Sequence, residues 1–335
     1  MTTIKKRHSW LYRILRVVIL LLLSLLTIVF LWFAGWNCLK FWAHADFYAI
    51  LENQRTNPGL NDGFIPQGIS YLEEQDIYLT SGYMTSSKKA SRIYSIDGEE
   101  NVHYAEMYQD GKVSTMHAGG MCVIEDTIYV SSGSRLHLFP LAEALTEDQV
   151  EEVGTIPVNN SASFCYTKGD YLFVGEFHDG GAYVTDHPFQ TADEDMHYAI
   201  LSQYRIADLE SENPAPAVIY SLPNKVQGFC ITDSGRLVLS TSYGISASHY
   251  LVYDLEVDPV GDLSSLVALA EEEMDGVLVI YLDKESLVED VRGPAMSEDL
   301  DYHDGLVVTV MESASNKYLF GKFFFYNDII GLRIE

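Results

Sequence analysis

Beyond residue 60 the chain is written in short runs of alternating apolar and polar positions broken by polar turns, the period-two pattern of half-buried β-strands. One unit recurs five times. Its openings are "QGIS" at 67–70, "GGMC" at 119–122, "ASFC" at 162–165, "QGFC" at 227–230 and "EDLD" at 298–301. Each leads through a polar turn ("LEEQD", "IED", "TKGD", "TDSG", "YHDG") into a second apolar strand. Those strands are "IYLTSGY" from Ile77, "IYVSSGS" from Ile128, "LFVGEFH" from Leu172, "LVLSTSY" from Leu237 and "VVTVMES" from Val307. Turns this short, carrying Asp and Gly, suit tight hairpins. Third strands read as "SRIYSID", "SRLHLFP", "HYAILSQYRI" and "SHYLVYDLE"; fourth strands read as "VHYAEMY", "VGTIPV", "AVIYSLP" and "VLVIYLD".

Successive openings lie 52, 43, 65 and 71 residues apart. A four-stranded antiparallel unit at such spacing predicts an all-β fold, a β-propeller with each opening at the start of a blade's innermost strand. The two long intervals hold the acidic stretches "DHPFQTADEDMHYA" and "DPVGDLSSLVALAEEEMDG", which lack alternation and read as loops or short helices. After residue 46 only "LAEALTEDQVEEV" and "LSSLVALAEEEM" keep a helical period for long, and both fall between strands. Five blades are visible. A sixth has room in the long intervals or in "FYAILENQRTNPG", and "KYLFGKFFFYNDIIGLRIE" supplies the last outer strands, completed by residues near the N-terminal segment.

The first forty-odd residues follow a different pattern. "VVILLLLSLLTIVFLWFAGW" is charge-free and long enough to cross the roughly 30 Å hydrocarbon core of a bilayer. The expected organisation is a basic cytoplasmic segment at 1–16, a transmembrane helix at 17–36, a juxtamembrane linker at 37–60 and an extracytoplasmic propeller at 61–335. Lys5, Lys6, Arg7, Arg13 and Arg16 all precede the apolar run, which orients the N-terminus inward. Trp32, Trp36, Phe41 and Trp42 then fall near the outer interface. The alternative is a signal peptide cleaved after Ala45 in "AHA", although the apolar run exceeds the usual length.

Formal charge is −27. No acid and six Lys or Arg precede Asp46, so the rest of the chain has 48 acids against 15 bases, a balance of −33. Such a body repels nucleic acid and anionic headgroups. Cys122, Cys165 and Cys230 occupy one column of three blades, where each reads as a small buried residue and not as half of a disulfide. No serine-hydrolase elbow, phosphate loop or dinucleotide motif is present.

In a propeller, the openings of the inner strands and the ends of the second strands meet on one face. The openings contribute Gln67, His117, Ser163, Gln227 and Glu298; the strand ends contribute Tyr83, Glu176, His178, Asp179, Tyr243 and Glu312. From this ring the expected ligand-binding residues are Gln67, His117, Ser163, His178, Gln227, Tyr243, Glu298 and Glu312, at a concave channel mouth. His117 is either a proton-transfer group or a structural channel histidine; Glu298 is either a metal ligand or general acid, or a carboxyl satisfied by Arg or backbone N–H groups. His117 and Glu298 are the catalytic candidates, and Glu298 the metal candidate.

The opening "PQGIS" at 66–70 resembles the Pro-Glu/Gln-Gly-apolar blade start of six-bladed lactonase, gluconolactonase and strictosidine-synthase-like propellers. The chain also resembles membrane-anchored bacterial propellers of uncharacterised function. The first resemblance implies calcium or another divalent metal in the channel. Here Glu298 is the one acid at an opening, and Gln stands at 67 and 227. The leading expectation is a cell-surface binding module that uses the channel mouth to take a small molecule, a surface protein or a glycan. The alternative is a calcium-type, metal-assisted hydrolase of a lactone, ester or glycan-related molecule, with Glu298 holding the ion and His117 moving the proton. A third reading is a structural partner of another membrane protein, recognised through the acidic loops at 187–197 and 259–276.

Overall fold

The computed structural model describes residues 2–318 and 326–334, with the side chains of residues 2–9, 36, 37 and 40 outside the description. The interface role expected for Trp36 and the 319–325 part of the last outer strands therefore lie outside the described residues. The chain divides into two units, Met1–Tyr48 and Ala49–Glu335.

The first unit is a long helix, Thr2–Ala43, followed by a short one, Ala45–Ile50, that runs across the division. Within the first helix, Trp10–Gly35 has a mean hydropathy of 3.0 over its most apolar window. At 1.5 Å per residue those 26 residues reach about 39 Å, enough to cross a bilayer. From Trp10 to Gly35 its Leu and Ile side chains are exposed. An N-terminal secretory signal satisfies the same length and composition.

The second unit is a five-bladed propeller among the described residues. Blade 1 consists of Phe64–Leu72, Ile77–Met84, Arg92–Asp97 and Val102–Gln109, from the axis outward. Blade 2 is Met121–Ile124, Thr127–Ser132, Arg135–Pro140 and Gly154–Pro157. Blade 3 is Phe164–Lys168, Tyr171–Gly175, Ala199–Arg205 and Val218–Leu222. Blade 4 is Val226–Ile231, Leu237–Thr241, Ser248–Tyr253 and Leu287–Gly293. Blade 5 is Ser297–His303, Leu306–Met311 and Asp328–Leu332, and its outer strand is Leu51–Thr56. Neighbours among these blade strands pair antiparallel.

The ring closes by joining the two ends of the propeller unit in one sheet. Leu51 pairs with Leu332 and Asn53 with Ile330, which ties residues near the N-terminal segment to the last strand. Residues 51–56, placed by pattern in the juxtamembrane linker, are thus propeller, and "FYAILENQRTNPG" supplies a closing strand and not a sixth blade. A second difference concerns "VLVIYLD". Val277–Tyr281 does not finish blade 4; it runs parallel to Val218–Leu222 and extends blade 3, with Glu272–Met274 folded back onto it. Blade 4 takes Leu287–Gly293 instead. An apolar run does not specify its partner when two sheet edges are within reach, and the parallel crossover here spans a long loop.

Packing between blades explains the apolar columns. Leu79, Ile93, Met121, Ile128 and Phe139 form one buried seam between blades 1 and 2, and Ile69, Tyr78, Val308 and Ile329 form another between blades 5 and 1. Cys122, Cys165 and Cys230 are free and buried. At the axis, space runs out. A Cβ on Gly228 would lie 2.5 Å from Asp299 Cα, and one on Gly68 would lie 2.7 Å from the Gly119 carbonyl oxygen. Only the missing side chain lets these inner strands approach so closely.

Asp299 sits at that convergence, fully buried. Its Oδ2 accepts from the backbone N–H of Met121 at 2.9 Å and of Ile69 at 3.3 Å, so one carboxyl of blade 5 stitches blades 1 and 2 together. Burial raises its pKa well above the ordinary aspartate value, with the nearby Cys165 adding to the rise.

Candidate functional site

One end of the axis opens into a cavity of about 580 Å³, within the usual range of small-molecule sites. All five blades line it. Gln67 and Tyr83 come from blade 1, His117 and Ser131 from around blade 2, Ser163 and Phe177 from blade 3, Gln227 and Tyr243 from blade 4, and Glu298 and Glu312 from blade 5. Of the eight residues expected from the sequence, Gln67, His117, Ser163, Gln227, Tyr243, Glu298 and Glu312 lie on its wall.

His178 does not. It is buried beside the mouth, where its Nδ1 accepts from the Thr185 backbone N–H at 3.0 Å and its ring stacks on Tyr198 at 5.0 Å. Side chains alternate along an extended segment, so Phe177 faces the cavity and His178 faces away. Arg92, at the start of the third strand of blade 1, is taken up in packing: it donates to Glu106 at 3.0 Å and lies 4.1 Å from the Tyr104 ring centre.

Backbone irregularities aim several of these groups. Register shifts fall between Pro66 and Gly68, between Val226 and Gly228, and between Ser297 and Leu300. Gln67, Gln227 and Glu298 are therefore bulge residues, and a bulge turns a side chain that the regular pleat would point elsewhere. Met296, also on the wall, holds φ at +67°, a conformation that costs a non-glycine residue about 1–3 kcal/mol.

Electrostatically the mouth is built around a carboxyl pair. Glu312 accepts from the Tyr318 hydroxyl at 2.8 Å and the Tyr83 hydroxyl at 3.0 Å. The Lys317 ammonium donates to the Tyr83 hydroxyl at 2.6 Å. Glu298 is 4% exposed. Loss of hydration raises its pKa well above the glutamate range, the charge of Glu312 raises it further, and Lys317 opposes. Glu312 is raised by desolvation too, against the pull of its tyrosine hydrogen bonds. His117 stands open to the cavity with its ring 4.5 Å from that of Tyr83. Reduced hydration and Lys317 lower its pKa, so the imidazole is neutral at neutral pH.

Aromatic rings complete the wall. Phe177 packs edge-on to Tyr183 at 5.4 Å and lies 6.0 Å from Tyr243. Tyr183 and Tyr243 are 55% and 45% exposed, which leaves ring faces free at the rim. Sequence reasoning missed Phe177, Tyr183 and Tyr318.

The calcium implied by the blade-start resemblance does not fit these residues. Calcium takes six to eight oxygens. Two carboxyls converge here, both shifted toward the protonated form, and Gln67 donates to the Pro66 carbonyl at 2.9 Å. Among the described residues, no group of three or more His, Cys, Asp or Glu is arranged to hold a metal. Calcium and a chelator should therefore leave the melting temperature of the full chain unchanged. Glu298→Gln should melt no lower than the native protein, because a neutral amide replaces a carboxyl that burial already shifts toward its protonated form. Denaturant midpoints check both, and a calcium-dependent rise lost in Glu298→Gln would reinstate a metal.

No protein-family model matches the chain. No curated protein sequence matches it either. Solved structures do. The PQQ-bound aldose sugar dehydrogenase of Streptomyces coelicolor aligns over 78% of each chain at 14% identity, with a TM-score of 0.45. The computationally designed Ika8 protein aligns over 80% of this chain and 70% of its own at 8% identity, with a TM-score of 0.33. Likenesses this distant carry no argument about chemistry, so the blade arrangement rests on the strand pairing and the site on its own residues.

Proposed function

We propose that the protein is a small-molecule-binding module held at the outer face of a membrane, with the channel mouth as its site. The observation that carries this reading is the convergence of polar and aromatic side chains from five blades on one concave cavity of about 580 Å³. The ligand it suits is small and polar with at least one flat face, taken between the Tyr83 and Tyr243 sides of the mouth. Gln67, Ser163 and Gln227 supply neutral hydrogen-bonding groups around it. A metal-assisted hydrolase has less support, since the residues do not form a cation cage and the Tyr83 hydroxyl is pushed far above its ordinary pKa by burial and Glu312. The charge-free stretch after the Lys/Arg-rich start supports an N-terminus-in, propeller-out topology.

Thermal unfolding of the full chain against a panel of small polar metabolites tests the site. A ligand at 100 times its dissociation constant stabilises by about 2.7 kcal/mol. At least one should raise the melting temperature of the native protein and leave Ser163→Trp, which fills the mouth, unmoved. Equal responses from both proteins would remove the site from the channel. Protease added outside intact cells should digest the propeller; complete protection would contradict the orientation.

A further inference from the structure

We infer that the molecule taken at this mouth carries an organic cation, a primary or quaternary ammonium, with Glu298 as its counter-ion and the rings of Tyr83, Tyr318 and Tyr243 as its walls. This rests on the reading of the mouth as a small-molecule site and names the ligand's class.

Four observations carry it. Glu298 is 96% buried on the cavity wall, and its carboxyl has no hydrogen-bond partner among the described residues, whereas its backbone carbonyl accepts from the Ser240 hydroxyl at 2.5 Å. A buried acid without a partner is costly, and a bulge has been retained to aim it into the cavity. Second, Glu312 stands close enough to interact with Glu298, and the tyrosine hydroxyls of the mouth, Tyr83 and Tyr318, donate to Glu312, which leaves Glu298 without a donor. Third, the mouth already accommodates an ammonium. Lys317 Nζ lies 4.7 Å from the Tyr83 ring centre and 4.9 Å from that of Tyr318, and Lys225 Nζ lies 5.7 Å from that of Tyr243. These are cation–π distances, and Tyr83, Tyr318 and Tyr243 all line the cavity. Fourth, the body carries a balance of −33, and an acidic concave surface raises the local concentration of cations.

Neutral sugars explain the aromatic faces but leave Glu298 without a charged partner. A divalent metal needs more oxygens than converge. An ammonium needs one carboxylate and ring faces, which are the groups present. The charged groups facing Glu298 are Glu312 and Asp299 on blade 5 and Lys317 in the following turn, with His117, ahead of blade 2, also on the cavity wall. A cation arriving among them favours the ionised carboxyl, so binding releases a proton and tightens as pH rises.

The test uses the full chain in a non-ionic detergent, with choline and putrescine at tens of millimolar against their uncharged isosteres 3,3-dimethyl-1-butanol and 1,4-butanediol. The expected result is a melting-temperature rise with the cations alone, absent in Glu298→Gln, and an apparent affinity that strengthens several-fold between pH 5.5 and about 7.5. Glu298→Gln melts no lower than the native protein, which separates lost binding from lost folding. Equal responses to cations and isosteres, or cation responses indifferent to Glu298→Gln, overturn the inference. If neither cation acts while a neutral or anionic panel member stabilises the native protein and not Ser163→Trp, the cation is refuted and the channel site stands. If nothing in either set acts, both fall.

Discussion

Asp299→Ala should cost the propeller about 4 kcal/mol, and Asp299→Asn should cost about 1 kcal/mol or less. The alanine leaves the buried N–H groups of Met121 and Ile69 without the acceptor they share. An unsatisfied buried donor costs about 1–3 kcal/mol, and the volume vacated at the axis adds to that. The asparagine keeps one carbonyl oxygen in nearly the same place. Burial raises the Asp299 pKa and so disfavours its charged form, which makes the neutral amide a close replacement for the acceptor. Chemical denaturation of the two variants reads the difference. Equal losses would mean that the charge of Asp299, and not its acceptor geometry, holds the axis.

The second large effect is a pH dependence traced to Asp301. Its carboxyl accepts from the backbone N–H of Tyr71 at 2.6 Å and of Tyr302 at 2.8 Å, yet burial outweighs these bonds and raises its pKa to about 6 from 3.8. An acid raised on folding favours the folded state while protonated. Its contribution is therefore full below about pH 4 and is lost as pH climbs through 6. Allowing for its partial exposure, the change amounts to about 2 kcal/mol. Relative to Asp301→Asn, the native protein should weaken by that amount between pH 4 and about 7. His117, His197 and His303, all lowered by burial, change stability in the opposite sense below pH 6.5, but they are common to both proteins and cancel in the comparison. A difference that stays flat with pH would contradict the raised pKa.

Much of this architecture was legible because the constraint on each blade is local. A tight hairpin and an alternating strand are written in adjacent residues, and the openings at 67, 119, 162, 227 and 298 all lie at inner strands. Partner choice at the outer edges was not legible. Whether Val277–Tyr281 joins blade 3 or blade 4 depends on which edge lies beside it, and no residue in the run encodes that. Ring closure by Leu51–Thr56 is likewise a contact between residues nearly 280 positions apart.

The site was legible through its columns, and its one displaced member shows the limit of that method. Aligning "LFVGEFH" from Leu172 put His178 opposite Tyr83. Phe164 pairs with Gly175 as Ile69 pairs with Thr80, so the columns are in register and His178 does match Tyr83 by count. The strand, however, ends at Gly175, and beyond it the chain turns Phe177 and not His178 to the cavity. A column aligned on strands does not carry past the end of the strand. Tyr183 and Tyr318 come from loops with no repeat to align.

Hydrogen exchange on the full chain, with and without the strongest stabiliser from the panel, tests the channel-mouth claim most directly. Added protection should appear together in segments around Gln67, His117, Ser163, Gln227 and Glu312, one from each blade, while the acidic loops at 187–197 and 259–276 stay unchanged. Protection confined to those loops, with the five segments unaltered, would place recognition on the rim of the propeller and contradict the account.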